Sequence, residues 1–191
     1  MFILFLSLAM HAMPASQHDN AIHDRQMLGM AVDYFAGGKY HEALMLFIKL
    51  DKKYRLNPRF IAYMGVCYYH EQDYAMACRY LDRALPSVGV YSPAERRVYY
   101  NAAAESHFKT GKFAEAIPLY EKLTLICRNE DKADILYRLG HCYMQQGKWA
   151  LAAEAFTSAA AYYEAYPQDG KQARMKQIGN MIKGCLQKAA N

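Results

Sequence analysis

The sequence predicts an all-α protein built from stacked helix hairpins, and three observations carry that expectation. β-branched residues are few: 5 Val, 9 Ile and 3 Thr stand against 29 Ala in 191 residues, a balance that favours helix over a large sheet. A pattern of small and aromatic residues returns four times along the chain. Glycines and prolines punctuate that pattern at regular places. The length allows one domain with short appendages and a sizeable core. With 53% apolar and 21% charged residues, disorder is excluded as the main state.

The first element is a leader. Residues 1–13 read MFILFLSLAMHAM, with Ser7 and His11 the polar exceptions. An apolar run of this length suits the h-region of a signal peptide and is too short to cross a bilayer. Ala12 and Ala15 offer small residues for cleavage, so residues 1–15 are read as a leader and 16–23 as a spacer. No Lys or Arg precedes Arg25 and no lipobox cysteine follows the run. The leader points to export, into the periplasm or cell envelope. The alternative is a cytoplasmic chain whose apolar arm packs on its own body, and the absence of paired cysteines leans that way.

Four repeats occupy residues 24–167, starting near Asp24, Pro58, Arg97 and Ala133. Place eight holds Ala31, Gly65, Ala104 and Gly140; place twenty holds Ala43, Ala77, Ala116 and Ala152. Place seventeen is aromatic throughout, as Tyr40, Tyr74, Phe113 and Trp149. Place eleven holds Tyr34, Tyr68, His107 and Tyr143; place twenty-four holds Phe47, Leu81, Tyr120 and Phe156. Small residues at places eight and twenty allow two helices to approach closely. The aromatic places are expected to fill the layer between neighbouring hairpins. Gly37-Gly38, Gly111 and Gly147 supply the turns of repeats one, three and four, where Gln72-Asp73 serves repeat two. Asn57-Pro58 reads as an N-cap and first helical residue, and Ser92-Pro93-Ala94-Glu95 as a capping box. The extra residues between repeats two and three are assigned to a Pro86–Pro93 loop.

This pattern resembles the tetratricopeptide repeat, most closely in "YMGVCYYHEQDYAMACRYLDRAL" and "RLGHCYMQQGKWALAAEAFTSAA". The resemblance implies a right-handed superhelical α-solenoid of four helix hairpins. His107 and Ala103 depart from it in the third copy, where larger or aromatic residues are usual. A weaker similarity links the chain to the chaperones of type III secretion translocators. After Pro167, residues 168–191 are expected to form a basic capping helix, with Met175, Ile178, Met181, Ile182, Cys185 and Leu186 on one face. Of the net charge of +5, this segment carries +4, leaving the body nearly neutral. A basic stripe on the body, the mark of a nucleic-acid binder, is missing.

The residues spell no active site. Five cysteines form no CxxC and read as small apolar core residues. Cys67/His70 and His141-Cys142 lie two repeats apart, too far to complete a four-ligand zinc site. Gly37-Gly38-Lys39 lacks P-loop spacing, and Ser92 and Ser106 lack a nucleophile elbow. No cofactor, metal, small-molecule substrate or catalytic residue is expected.

The tetratricopeptide resemblance implies a concave groove lined by the first helix of each repeat. Transferred to this chain, its places are Arg25, Leu28, Val32 and Phe35 in repeat one and Arg59, Ala62, Val66 and Tyr69 in repeat two. Repeat three supplies Asn101, Glu105 and Phe108, and repeat four Tyr137, His141 and Met144. Leu28 and Val32 stand where the family's carboxylate clamp needs Lys and Asn, so the clamp is absent. The expected function is a non-enzymatic scaffold binding an apolar peptide or amphipathic helix of another protein in that groove. The alternatives are a cytosolic chaperone for secreted clients and, for the basic terminal helix, contact with a membrane surface.

Overall fold

Three side-chain caps and two prolines set where several helices begin. Asn57 accepts hydrogen bonds from the backbone N–H groups of Arg59 (3.0 Å) and Phe60 (3.3 Å), with Pro58 at the first helical position. Asp73 accepts from Met76 N–H, and Ser92 from Glu95 N–H ahead of Pro93. Each satisfies a donor that a helix N-terminus leaves without an internal partner.

The computed structural model describes residues 15–167, 170 and 172–190. Among these, the chain forms nine α-helices and no strand. They are α1 (Ala15–Ala36), α2 (Tyr40–Lys53), α3 (Pro58–His70), α4 (Tyr74–Ala84), α5 (Pro93–Lys109), α6 (Phe113–Ile126), α7 (Asn129–Gln145), α8 (Trp149–Ala165) and α9 (Gln172–Ala189). Successive pairs form four hairpins, each hairpin packs on the next, and α9 packs on α8. The architecture is a right-handed superhelical α-solenoid. Residues 1–14 of the expected leader lie outside the described residues. The expected spacer 16–23 is helical, because no Gly or Pro interrupts the chain between Ser16 and Leu28. The loop expected at Pro86–Pro93 contains a 3-10 segment, Leu85–Val90.

The turn within each hairpin has one recurring form. Gly38, Gly111 and Gly147 take positive φ of 73°, 73° and 68°, and Gln72 takes the same conformation at 61°. The residue after each closes a bond back to place eleven: Lys39 to Tyr34 O, Asp73 to Tyr68 O, Lys112 to His107 O and Lys148 to Tyr143 O. These are Schellman-type closures, and three of the four use the glycine that the left-handed conformation favours.

The four alanines of place twenty are fully buried, as are Phe47, Leu81, Tyr120 and Phe156 of place twenty-four. A Cβ on Gly65 would lie 2.5 Å from Leu81 Cγ, and one on Gly140 would lie 2.7 Å from Phe156 Cε1. Place twenty-four therefore meets place eight inside its own hairpin, which corrects its expected place in the layer between hairpins. Small at eight and large at twenty-four are two halves of one contact. Place seven is buried in the later repeats, as Met64, Ala103 and Leu139, while Met30 of the first is 48% exposed.

Candidate functional site

The groove positions expected on α1, α3, α5 and α7 differ in chemistry between the first two repeats and the last two. On α1, Leu28, Val32 and Phe35 are half-buried and Arg25 is exposed. Phe35 stacks on Tyr63 of α3 with centroids 4.2 Å apart and meets Tyr40 edge-on. Tyr69 continues this wall from α3, and burial, then the nearby Glu105 carboxylate, push its hydroxyl pKa up. His70 lies flat on Tyr40 at 3.7 Å, and burial holds its imidazole below the usual range.

Two expected groove residues of repeat two belong to the core instead. Ala62 is 0% exposed and Val66 1%. The helix that carries them, α3, is packed by α2 and by its hairpin partner α4, and further elements lie on it as well. The 3-10 segment packs on α3, α4 and α5, and α3 and α5 also pack directly on each other. Val88 of that segment is fully buried. Tyr91 follows it, edge-on to Tyr99 and beneath the Arg59 guanidinium, which also pairs with Glu95 at 3.3 Å. The capping box is altered by the same contacts. Glu95 turns to Arg59, to the Tyr99 hydroxyl and to the Ser92 hydroxyl.

The second half of the face is a polar network. Glu105 accepts the Tyr120 hydroxyl at 2.6 Å and forms an ion pair with Arg138 Nε at 3.3 Å. Arg138 lies over the Phe108 ring at 4.8 Å. Asp134 accepts bonds from the Tyr163 hydroxyl and from Arg174 of α9. A cavity of about 350 Å³ opens among these groups, with Tyr69 and Asn101 in its wall. Tyr137, also expected in the groove, is buried because α9 covers it: its hydroxyl donates to Gln177 at 3.3 Å and Arg174 lies over its ring. His141 is half-buried, edge-on to Tyr137 and Phe156, and burial holds it neutral-leaning. Met144 and Phe108 are half-buried and Asn101 is exposed. Arg138 and Arg174 were not among the expected groove residues. Helical spacing would pair Asp134 with Arg138 four residues on, yet Asp134 takes Arg174 and Arg138 takes Glu105.

The thiols of Cys67 and Cys142 are pushed up to about 12 by burial. All five cysteines are free. Among the described residues, no group of three or more His, Cys, Asp or Glu is placed to hold a metal ion, and no helix is long and apolar enough to cross a membrane.

Residues 101–170, from α5 to the turn before α9, match the family model described as tetratricopeptide repeat. That segment carries tetratricopeptide repeats. Solved structures with this arrangement include MamA AMB-1 in a P212121 crystal, 16% identical with a TM-score of 0.61 over 87% of this chain and 92% of that one. MamA 41-end from Desulfovibrio magneticus RS-1 is 15% identical with a TM-score of 0.56, over 87% of this chain and 95% of that one. At these identities the likeness is one of fold. No curated protein sequence matches the chain. Against the tetratricopeptide pattern, the third repeat's His107 keeps the place of an aromatic while carrying a polar ring into the core.

Proposed function

We propose that this protein is a non-enzymatic interaction scaffold whose concave face binds an apolar segment of another protein. The observation that carries the reading is the row of partly exposed Leu28, Val32, Phe35 and Tyr69 along one face of the solenoid. Burying such side chains against a partner contributes about 1.5–3 kcal/mol each when complete. The wall is preformed: Phe35 is held by Tyr63 and Tyr40, so little ordering cost accompanies binding. Register falls to Arg25, because Arg59 is engaged by Glu95 and Glu105 by Tyr120 and Arg138.

Site-specific photo-crosslinking tests the reading. A benzoylphenylalanine at Val32 or Met144 is expected to give one discrete adduct in the producing cell, identified by mass spectrometry. The same group at Arg79, on the exposed side of α4, is expected to give none. Adducts from Arg79 alone would move the working surface off the concave face.

We propose envelope placement as well, from the apolar leader. Removal of the leader near Met13 or Ser16 leaves α1, which starts at Ala15, nearly whole. Mass spectrometry of the mature N-terminus tests this, and an intact Met1 would place the protein in the cytoplasm.

A further inference from the structure

Two cavities open at corresponding places of the repeat. The first, about 440 Å³, lies between α1 and the start of α3, with Leu28, Leu50 and Phe60 in its wall. The second, about 340 Å³, lies between α5 and the start of α7, with Asn101, Leu123 and Ile135 in its wall. These are the same three repeat places: five and twenty-seven of one repeat, three of the next. The corresponding place between them is flanked by Ala62, Ala84 and Tyr99, which are 0%, 0% and 1% exposed. There the 3-10 segment and Tyr91 occupy what would have been a third cavity.

Charge distinguishes the first cavity. Arg25 and Arg55 stand in its wall, and no described residue forms an ion pair with either. The carboxylate beside them, Asp24, is already held by Lys53 and by the Tyr54 hydroxyl. An apolar floor with two uncompensated guanidiniums at its rim favours an apolar side chain flanked by a carboxylate. At the second cavity, Asp131 is paired with Arg128 and Asp134 with Arg174.

Resting on the scaffold reading above, we infer that the twin cavities take two apolar anchors of one acidic polypeptide segment, which passes over the plugged second repeat and sets its first anchor's carboxylate neighbour against Arg25 and Arg55. The insert between repeats two and three is then a spacer. It closes one potential anchor site and so selects partners whose anchors are two repeats apart rather than one. Anchor spacing, and not apolar content alone, becomes the specificity determinant.

The test uses the full chain and fluorescein-labelled synthetic peptides of about 16 residues. Each carries two leucines at varied separation, flanked either by Glu or by Lys. The Glu series is expected to bind, with one separation preferred and affinity falling as salt rises. Arg25→Glu with Arg55→Glu should weaken the best Glu peptide by about tenfold or more, while leaving the melting temperature unchanged. Asn101→Trp, filling the second cavity, should weaken it as well and erase the preferred separation. Equal binding of the Glu and Lys series, no binding of the Glu series, or indifference to both variants overturns the inference. Should binding withstand these variants yet fail in Val32→Glu, the groove reading stands and the twin-cavity assignment falls. A concentration-dependent dimer abolished by the same variants would assign the cavities to a second copy of the chain, and likewise overturns it.

Discussion

His107 Nε2 stands 2.8 Å from Asp82 Oδ1, across the boundary between the second and third repeats. The imidazole is 3% exposed, and its Nδ1 lies 3.5 Å from Cys78 Sγ on the same face of α4. Burial opposes a charge there, but the hydrogen bonds to Asp82 and Cys78 outweigh it and push the pKa up to about 9. The ring is therefore a cation at neutral pH, tying α5 to α4. A raised folded-state pKa contributes stability that is fully present below the unfolded value near 6.5 and is lost as pH rises through 9. His107→Gln removes the charge, so the stability gap between wild type and variant should be on the order of 1–3 kcal/mol at pH 6 and shrink by pH 10. Urea unfolding across that range measures it. A gap independent of pH would mean that the histidine is neutral in the fold.

Gln72 holds a left-handed backbone with φ of 61° where the other three repeats use glycine. That conformation costs a non-glycine residue about 1 kcal/mol. Its side chain is exposed, so Gln72→Gly should stabilise the protein by about 0.5–1 kcal/mol, read as a higher thermal midpoint. No gain would show the strain to be relieved elsewhere in the turn.

Within the second hairpin, Gly65 faces Leu81 and Ala77 is fully buried. Gly65→Ala would set a Cβ against both the Leu81 side chain and its backbone nitrogen, the latter at 3.1 Å. Leu81 can rotate its side chain away, whereas the backbone cannot yield as cheaply. Gly65→Ala and Ala77→Leu should each destabilise by about 1–3 kcal/mol or more. Denaturant melts indistinguishable from wild type would remove both columns from the core.

Val66→Glu separates core from groove. A solvated groove position would accept the charge without loss of fold. At 1% exposure, Val66 instead forces a carboxylate into an apolar interior at a cost of several kcal/mol. Circular dichroism should show a large fall in the melting point or an unfolded chain. Val32→Glu, at a half-buried position of α1, should keep the helical signal.

Trp149 opens α8 half-buried, with Lys188 of α9 over its ring at 5.3 Å. Part of its ring is already in water, so Trp149→Ala should cost about 1–3 kcal/mol rather than the larger loss of a fully enclosed indole. The loss should appear first as earlier exchange of α9 amides in hydrogen–deuterium exchange. Uniform acceleration across all helices would refute a local role in seating the cap.

The hairpins were legible in the chain because their determinants are local. Gly65 and Leu81, or Gly140 and Phe156, lie sixteen residues apart, and the left-handed turn residue, Gln72 or Gly147, lies between them. A fixed spacing of small, aromatic and turn residues therefore encodes each hairpin by itself. Exposure along the concave face is not local in this sense. Val66 and Tyr69 share one face of α3, yet Val66 is buried on a helix that α5 and the 3-10 segment also pack against, and Tyr137 is buried because α9 returns across it. Arg138 ignores the carboxylate one turn away for Glu105 of another repeat. The periodic pattern thus determined the helices, their pairing and their turns. Which groove positions stay open was decided only when the 3-10 segment and the terminal helix took their places, since burial depends on whatever comes to lie on a residue from elsewhere in the chain.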